Sequence, residues 1–364
     1  MTRDARAREA KQLIDRIAAE SRAAGGRAEA GARAYCAELL AGSGFAVTEE
    51  EFTYSAFPAR WGVPLLGLLL FAWFAFVGSR ARSGPDAAVG ATLPFLLLLP
   101  ALGYMVVRMA PPERLLGRRG TNLIAVRGAS PPLWLMAHID SKSQLVPMLL
   151  RIAGIVVAAV AVAIATGAAF LGDAERTGPL LWQLVAGAGA AGSLVLLLSV
   201  VGDRSRGALD NATGVAAALL VAAECGGGRP LGVAITSAEE LGLRGAAAWA
   251  RRRSRVKSPV INFDGIDDVG TLTCMARGGS RLAARLRATA EEGGWRVRFR
   301  GVLPGVLVDS VALNGAGWDA VTISKGDIST LARIHTRGDS PDRLNGSGVA
   351  EAVEMVLNFI DREG

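Results

Sequence analysis

The sequence contains two histidines, His138 and His335, and each lies in a short string that also contains an aspartate. The strings are His138-Ile-Asp-Ser141 and Ile334-His-Thr-Arg-Gly-Asp339. Between them lie three more polar strings, each near the end of an apolar run: Asp210-Asn211, Glu239-Glu240 and Asn262-Phe-Asp264. Imidazole nitrogens and carboxylate oxygens are ligands that zinc takes in proteins. Together these strings supply enough ligands for a pair of zinc ions.

The elements that must position these residues can be predicted from hydrophobic periodicity. Residues 4–43 favour two amphipathic helices, which are followed by an extended stretch at 45–54. Strands are predicted at 121–126 and 133–137. From residue 207 onward, helices and strands alternate: helix 214–224, strand 232–236, helix 242–253, strand 260–264, helix 280–292, strand 296–302, a short helix after Asp309, strand 320–324 and helix 346–360.

Alternation of this kind favours an α/β fold with a mixed central β-sheet flanked by helices. In such sheets, ligands gather beyond the carboxyl ends of the strands. Most of the candidate metal ligands fall at predicted strand ends.

Four stretches contain no charged residue over a length close to the roughly 20 helical residues that cross a hydrocarbon core. They are residues 61–78, 87–107, 152–171 and 179–201. Buried helices of soluble proteins normally keep a polar stripe, whereas these stretches are apolar on all sides. The sequence therefore predicts an integral membrane protein with two transmembrane helical hairpins.

Arginines crowd one side of the predicted spans. That side carries Arg60, Arg108, Arg114, Arg118, Arg119, Arg151, Arg204 and Arg206, whereas the other carries Arg80, Arg82 and Arg176 offset by Asp86, Asp173 and Glu175. The positive-inside rule places the Arg-rich side, with the whole soluble portion, in the cytoplasm. The first thirty residues resemble a charged helix rather than a signal peptide, so we expect that the soluble parts are not exported. The expected location is an inner membrane of bacterial type.

The net charge of +7 does not indicate a nucleic-acid-binding protein, because the arginines are scattered or flank spans and no recognition motif accompanies them. Anionic lipid headgroups are the expected counterpart, so the lipid bilayer is a predicted partner. The three cysteines are widely separated and form neither a disulfide framework nor a zinc ribbon. The sequence does not fix the oligomeric state.

Taken in order, the five strings resemble those of the co-catalytic zinc aminopeptidases of metallopeptidase family twenty-eight, which includes aminopeptidase S, aminopeptidase Y and bacterial leucyl aminopeptidases. The matching strings include Gly207-Ala-Leu-Asp-Asn-Ala-Thr-Gly214 and Ala238-Glu-Glu-Leu-Gly-Leu-Arg-Gly245. The resemblance extends weakly to the amino-terminal helices and to Asp309. It implies a zinc-exopeptidase-like fold, two zinc ions per chain and a peptide or protein N-terminus as substrate.

The resemblance also implies roles for individual residues. Asp210 corresponds to the carboxylate that bridges the two metals. His138 and Asp264 would complete one site, and Glu240 and His335 would complete the other. Glu239 resembles the general base, and Asp140 resembles the carboxylate that orients the His138 imidazole.

Compared with the family's soluble members, the chain has a membrane hairpin inserted between His138 and Asp210. Ligands on either side of an insertion can meet only if it crosses the membrane an even number of times, which two spans satisfy. The predicted organisation is peptidase segments at 1–58, 110–147 and 203–364, separated by hairpins at 59–109 and 148–202.

Other functions remain open at this point. The same scaffold supports carboxypeptidases and single-zinc glutaminyl cyclases, although retention of all five ligands favours two metals and hydrolysis. A catalytically inactive membrane receptor or scaffold would be expected to have lost ligands. A transporter is disfavoured because the predicted spans contain no ionisable acid or base.

Overall fold

The computed structural model describes residues 1–108, 117–171, 178–226, 228–253, 257–302 and 306–363. For residues 97–108 and 171 it describes the main chain only. The chain divides into two compact units. The first unit comprises Met1–Tyr54, Arg118–Ser143 and Asp203–Gly364, and the second comprises Ser55–Gly117 and Gln144–Gly202. Of the residues used above to predict topology, Arg114, Asp173, Glu175 and Arg176 lie outside the described residues.

The helices, in chain order, are α1 Arg3–Ile17, α2 Arg27–Gly42, α3 Phe57–Ala81, α4 Pro85–Arg108, α5 Met148–Leu171, α6 Pro179–Leu197, α7 Thr213–Glu224, α8 Arg244–Arg252, α9 Arg281–Glu292, α10 Asp309–Gly315, α11 Ile328–Arg333 and α12 Ser347–Glu363. The strands are β1 Ala46–Ser55, β2 Gly117–Arg127, β3 Trp134–His138, β4 Ser143–Gln144, β5 Val201–Gly202, β6 Leu231–Thr236, β7 Val260–Ile266, β8 Thr271–Ala276, β9 Val297–Arg300 and β10 Ala320–Gly326.

The first unit is built on a mixed sheet, in which eight strands of the described chain follow the order β1-β2-β6-β3-β7-β10-β8-β9. Its centre is parallel, since β3 pairs in parallel with β6 and β7, and β7 with β10. β2 and β8 join this centre in the antiparallel sense. The predicted mixed α/β sheet flanked by helices is confirmed.

Two apolar clusters cover the two faces of this sheet. Leu135 and Ala137 of β3 lie in one cluster, which also holds residues of α1, α7 and α12. Trp134 and Met136 alternate with them and lie in the other cluster, beside Trp249 of α8 and Trp318. Alternation along β3 thus buries both faces of the strand, as expected for the parallel centre of a sheet.

Among the helices and strands of the first unit given above, β8 and α11 were not predicted. β8 follows the turn at Gly270, where a Cβ would come within 2.3 Å of the Gly326 backbone, so the chain must turn back closely against β10. α11 is a helix of 6 residues that begins after Asp327, whose side chain accepts hydrogen bonds from the backbone of Ser329 and Thr330. α11 is too short to give a helical periodicity, whereas β8, with 6 residues, is as long as strands that were predicted and was overlooked.

The second unit consists mainly of apolar helices. Three described helices are long and apolar enough to cross a membrane, judged by length and composition: Phe57–Ala81, Met148–Phe170 and Pro179–Leu197. The remaining predicted span, 87–107, coincides with helix α4. Because the side chains of residues 97–108 lie outside the described residues, four spans remain a prediction.

Packing within the second unit depends on close approach of helices. A Cβ on Gly189 of α6 would come within 2.3 Å of the Phe74 ring of α3, so only glycine fits there. The rings of Trp73 and Phe95 stack at 4.3 Å between α3 and α4. Leucines such as Leu66 and Leu68 remain 45% and 47% exposed, which is expected of side chains that meet lipid.

Candidate metal centre

Strand register brings the first candidate ligands to one edge of the sheet. His138, the last residue of β3, is paired with Thr236 at the end of β6. On the other side of β3, Met136 is paired with Asn262 of β7, so Asp264, two residues further along, is level with His138. The parallel centre of the sheet therefore presents His138, Asp264 and the loop after Thr236 at the same carboxyl edge.

Two groups of ligand atoms assemble at this edge and share one residue. His138, Asp210 and Asp264 form the first group, and Asp210, Glu240 and His335 form the second. Within each group, the ligand atoms lie within 4.8 Å of one another. These are the two sets of residues that the sequence predicts as metal ligands.

Asp210 lies between the two histidines. Its Oδ1 is 3.1 Å from His138 Nε2, and its Oδ2 is 3.0 Å from His335 Nε2. His138 Nε2 is also 3.8 Å from Asp264 Oδ1, whereas His335 Nε2 is 3.3 Å from Glu240 Oε1. Each oxygen of Asp210 thus faces a different group, which is the geometry that a bridging carboxylate needs.

The backbone around Asp210 is held by polar side chains from distant parts of the chain. Asp339 Oδ1 accepts a hydrogen bond from Leu209 N at 2.6 Å, and its Oδ2 accepts one from Asp210 N at 3.2 Å. The following residue, Asn211, donates to the Phe263 carbonyl of β7 at 2.9 Å. The peptide bond between Asp210 and Asn211 is cis.

The loop that carries Glu239 and Glu240 is fixed by Asp140. The Asp140 carboxylate accepts hydrogen bonds from Glu239 N at 3.1 Å and from Glu240 N at 3.2 Å. His138 Nδ1 is 3.0 Å from the main-chain oxygen of Asp140 and 3.7 Å from its carboxylate. The nearer partner of the imidazole is thus the main chain of Asp140, while the carboxylate holds the glutamate loop.

Glu239 and Glu240 have different surroundings, although they are adjacent. Glu239 Oε2 is 3.8 Å from His138 Nε2, on the side of the first group. Burial raises the pKa of Glu239 well above its usual value, despite the attraction of His138. Burial acts in the same direction on Glu240, but Lys142 and His335 outweigh it and lower the pKa of Glu240. In the absence of metal, Glu239 is therefore the carboxyl that more readily holds a proton.

Several buried atoms of the two groups have no hydrogen-bond partner in the described part of the chain. They include His138 Nε2, Glu240 Oε1 and Asp264 Oδ2. A buried polar atom without a partner is costly unless something else satisfies it. Nitrogen and carboxylate donors in two groups around one shared aspartate suit a pair of zinc ions, so the residues present fit the implied metals.

Two residues of the site had no role in the sequence-based interpretation. Lys142 forms an ion pair with Glu240 Oε2, which leaves Oε1 facing His335. Lys142 directly follows the string that contains His138. This position is the only feature of the sequence that could have placed Lys142 in the site. Asp339 ends the string that contains His335, but its contacts with Leu209 and Asp210 depend on the tertiary fold.

A mixed sheet with paired ligand groups at its carboxyl edge places this protein among the zinc-exopeptidase-like α/β proteins. Residues 193–360 match the model of peptidase family M28. The matched range contains Asp210, Glu239, Glu240, Asp264 and His335, whereas His138 precedes it. A search of curated protein sequences gave no match.

Solved structures share this fold at low sequence identity. BSAP, a zinc aminopeptidase from Bacillus subtilis, is 14% identical with a TM-score of 0.58, and the alignment covers 98% of this chain and 95% of that one. The aminopeptidase from Aneurinibacillus sp. strain AM-1 is 12% identical with a TM-score of 0.58, covering 98% and 93%. The glutaminyl cyclase from Fimbriiglobus ruber is 16% identical with a TM-score of 0.56, covering 99% and 95%.

Proposed function

We propose that this protein is a membrane-anchored, zinc-dependent aminopeptidase that hydrolyses the N-terminal peptide bond of peptides or proteins. The observation that carries the proposal is Asp210, whose two oxygens face His138 and His335 at 3.1 and 3.0 Å. Two metals in close proximity need a shared anionic ligand, and a carboxylate can supply one. His138 and Asp264 would complete one zinc site, and Glu240 and His335 the other.

The chain's own residues account for the proton transfers of this reaction. Bound zinc lowers the pKa of a water ligand to about 7 and polarises a carbonyl group. Glu239 is the general base in our proposal, because its carboxylate lies beside the first group while Glu240 belongs to the second. Glu239 would take a proton from the attacking water and return it to the leaving amine. Asp140 contributes by holding the main chain of both glutamates.

In our proposal, the apolar helices anchor the enzyme in an inner membrane of bacterial type, with the peptidase unit on the cytoplasmic side. Support comes from the three long apolar helices and from the arginines that flank the predicted spans. The expected substrates are peptides or protein N-termini near the inner membrane surface. Protease protection of the peptidase unit in sealed right-side-out vesicles, and its loss in inverted vesicles, would test this orientation.

The central experiment combines metal analysis with hydrolysis of aminoacyl substrates. Purified wild type should contain two zinc ions per chain and release N-terminal residues. Glu239→Gln should retain both metals and lose at least about 100-fold in kcat, since general base catalysis contributes roughly that much or more. Glu291→Gln, on the exposed part of α9, is the matched control and should behave as wild type. A wild type that binds no zinc and has no activity would favour an inactive receptor or scaffold.

A single-zinc glutaminyl cyclase is the second candidate, because cyclases share the fold. The paired groups of His138 and His335 favour two metals and hydrolysis instead. An assay with peptides that begin with glutamine separates the alternatives. Release of glutamine indicates hydrolysis, whereas loss of ammonia with retention of the peptide chain indicates cyclisation.

A further inference from the structure

Arg22, in the segment between α1 and α2, is fully buried beside the metal centre. Its relative exposure is 0%, which is rare for an arginine unless its donors are satisfied. Its guanidinium donates to main-chain carbonyl oxygens of three separate segments. The acceptors are Ile17 at 3.2 Å, Ile139 at 2.7 Å, Arg206 at 2.5 Å and Gly207 at 2.8 Å.

Two of these segments carry metal ligands. Ile139 lies between His138 and Asp140, and Gly207 opens the turn that leads to Asp210. The main chain of Arg22 strengthens the first contact, because its N donates to Ser141 Oγ at 2.9 Å and its carbonyl accepts from Ser141 N at 2.9 Å. Arg22 therefore bridges the His138 loop, residues 139–141, and the Asp210 loop, residues 206–210.

The spacing of these two loops depends on hydrogen bonds between residues that are far apart in sequence, and Arg204 N, which donates to Ser143 Oγ at 2.9 Å, makes one of them beside those of Arg22. The loops are joined in sequence by residues 142–205, which include the second apolar hairpin, and a long connection leaves a large entropy cost for bringing its ends together. The approach is nevertheless close, since a Cβ on Gly207 would lie 2.4 Å from Ser141 Cβ. Ser141 Oγ also donates to the Ser205 carbonyl at 3.2 Å.

We propose that Arg22 is a positioning residue for the metals: it sets the spacing between the His138 loop and the Asp210 loop, so that both residues reach the same ion. The proposal rests on the proposed zinc function. The alternative is a structural role alone, in which Arg22 stabilises the fold without affecting metal binding. Outer contacts that orient ligands typically change metal affinity by about 10- to 100-fold when removed, and a purely structural contact has no such effect.

The chain offers a matched control in Arg127. Its guanidinium also donates to main-chain carbonyls, those of Ser43, Ala222, Cys225 and Arg229, and none of these acceptors belongs to either ligand group. Arg22→Met and Arg127→Met both remove a guanidinium group that donates hydrogen bonds to the main chain of several segments. Arg22→Lys is a milder variant, which keeps the charge but cannot span three segments, and it covers the case in which Arg22→Met fails to fold.

Zinc affinity is measured by titrating the metal-free, full-length proteins in the presence of a competing chelator, and thermal stability is measured on the same samples. We expect Arg22→Met and Arg22→Lys to bind zinc at least about tenfold more weakly than wild type. Arg127→Met should lose stability but keep wild-type zinc affinity. Wild-type affinity in the folded Arg22 variants, or an equal loss in Arg127→Met, would overturn the proposal. Failure of the wild type to bind zinc would overturn the proposed function instead.

Discussion

Asp140 and Glu239 are joined by a hydrogen bond of 3.1 Å from the Glu239 amide to the Asp140 carboxylate. The second oxygen of the same carboxylate receives the amide of Glu240. One buried side chain therefore orients both the proposed general base and a proposed ligand, by holding the main chain between them. Ala238 precedes this pair with a φ of 57°, a left-handed conformation that the loop must maintain.

Replacing Asp140 with asparagine should impair catalysis more than metal binding. An amide side chain has only one acceptor, so one of the two glutamate amides would face an NH₂ group. We expect kcat to fall by about 10- to 100-fold while both zinc ions remain bound. Steady-state kinetics with metal analysis test this expectation, and Asp342→Asn on the exposed surface is the control. Wild-type kcat in Asp140→Asn would contradict it.

Substitutions of Asp210 and Asp264 should differ in their effect on metal content. Asp210→Ala removes a ligand from both groups, whereas Asp264→Ala removes one from the first group only. We expect the purified Asp210 variant to contain close to no zinc, and the Asp264 variant to retain the ion held by Asp210, Glu240 and His335. Zinc content per chain checks this difference. Equal zinc loss in the two variants would argue against a shared ligand.

Glu29 should make stability depend on pH in the metal-free protein. Its side chain accepts hydrogen bonds from Ser237 Oγ at 2.5 Å and Gly25 N at 2.7 Å. Burial, reinforced by Asp140, raises the pKa of Glu29 from 4.5 to about 7. The folded state thus binds the proton more tightly than the unfolded chain, so the contribution of Glu29 to stability declines as pH rises from about 4.5 to about 7.

The variant Glu29→Gln should remove this decline, because glutamine resembles the protonated carboxyl at every pH. At pH 8 the variant should be more stable than wild type by up to about 3 kcal/mol, and the advantage should shrink towards pH 5. Thermal unfolding of both proteins between pH 5 and pH 8 measures the difference. A difference that does not change with pH would show that Glu29 does not titrate in this range.

Gly207→Ala should be more harmful than alanine at another glycine with the same backbone conformation. Gly207 has a φ of +59°, and an added Cβ would lie 2.4 Å from Ser141 Cβ and 2.5 Å from the Asp210 carbonyl oxygen. Gly294 has a φ of +70° and open space around it. Both variants incur the cost of a left-handed alanine, about 1 kcal/mol, but only Gly207→Ala also forces two loops apart. The melting temperatures of the two variants should therefore differ clearly, and equal values would exclude the packing effect.

The sequence indicated which candidate ligands would come together better than it indicated the contacts that hold them. His138, Asp210, Glu240, Asp264 and His335 stand in short polar strings, most of them near predicted strand ends, so their residue types and order were informative. The resemblance to a zinc peptidase family is confirmed by the match of residues 193–360, as is the mixed sheet. The individual roles of these residues and of Glu239 remain predictions.

The contacts of Asp339 and Arg22 could not be predicted, for a physical reason. Asp339 binds the amides of Leu209 and Asp210, which lie 130 and 129 residues away along the chain, and three of the four carbonyls that Arg22 binds lie 117 to 185 residues away. Such contacts depend on the folded arrangement of loops and leave no local pattern.

The position of Asp210 between two histidines has a thermodynamic consequence. A carboxylate common to two sites makes the binding of one cation dependent on the binding of the other, and this coupling is reciprocal. In the two-zinc site that we propose, the first ion would order Asp210 and offset the mutual repulsion of the surrounding carboxylates, whereas the second would bind against the charge of the first. We therefore expect the proposed site to fill stepwise, through an intermediate form that contains a single ion, because the two ions share one side chain.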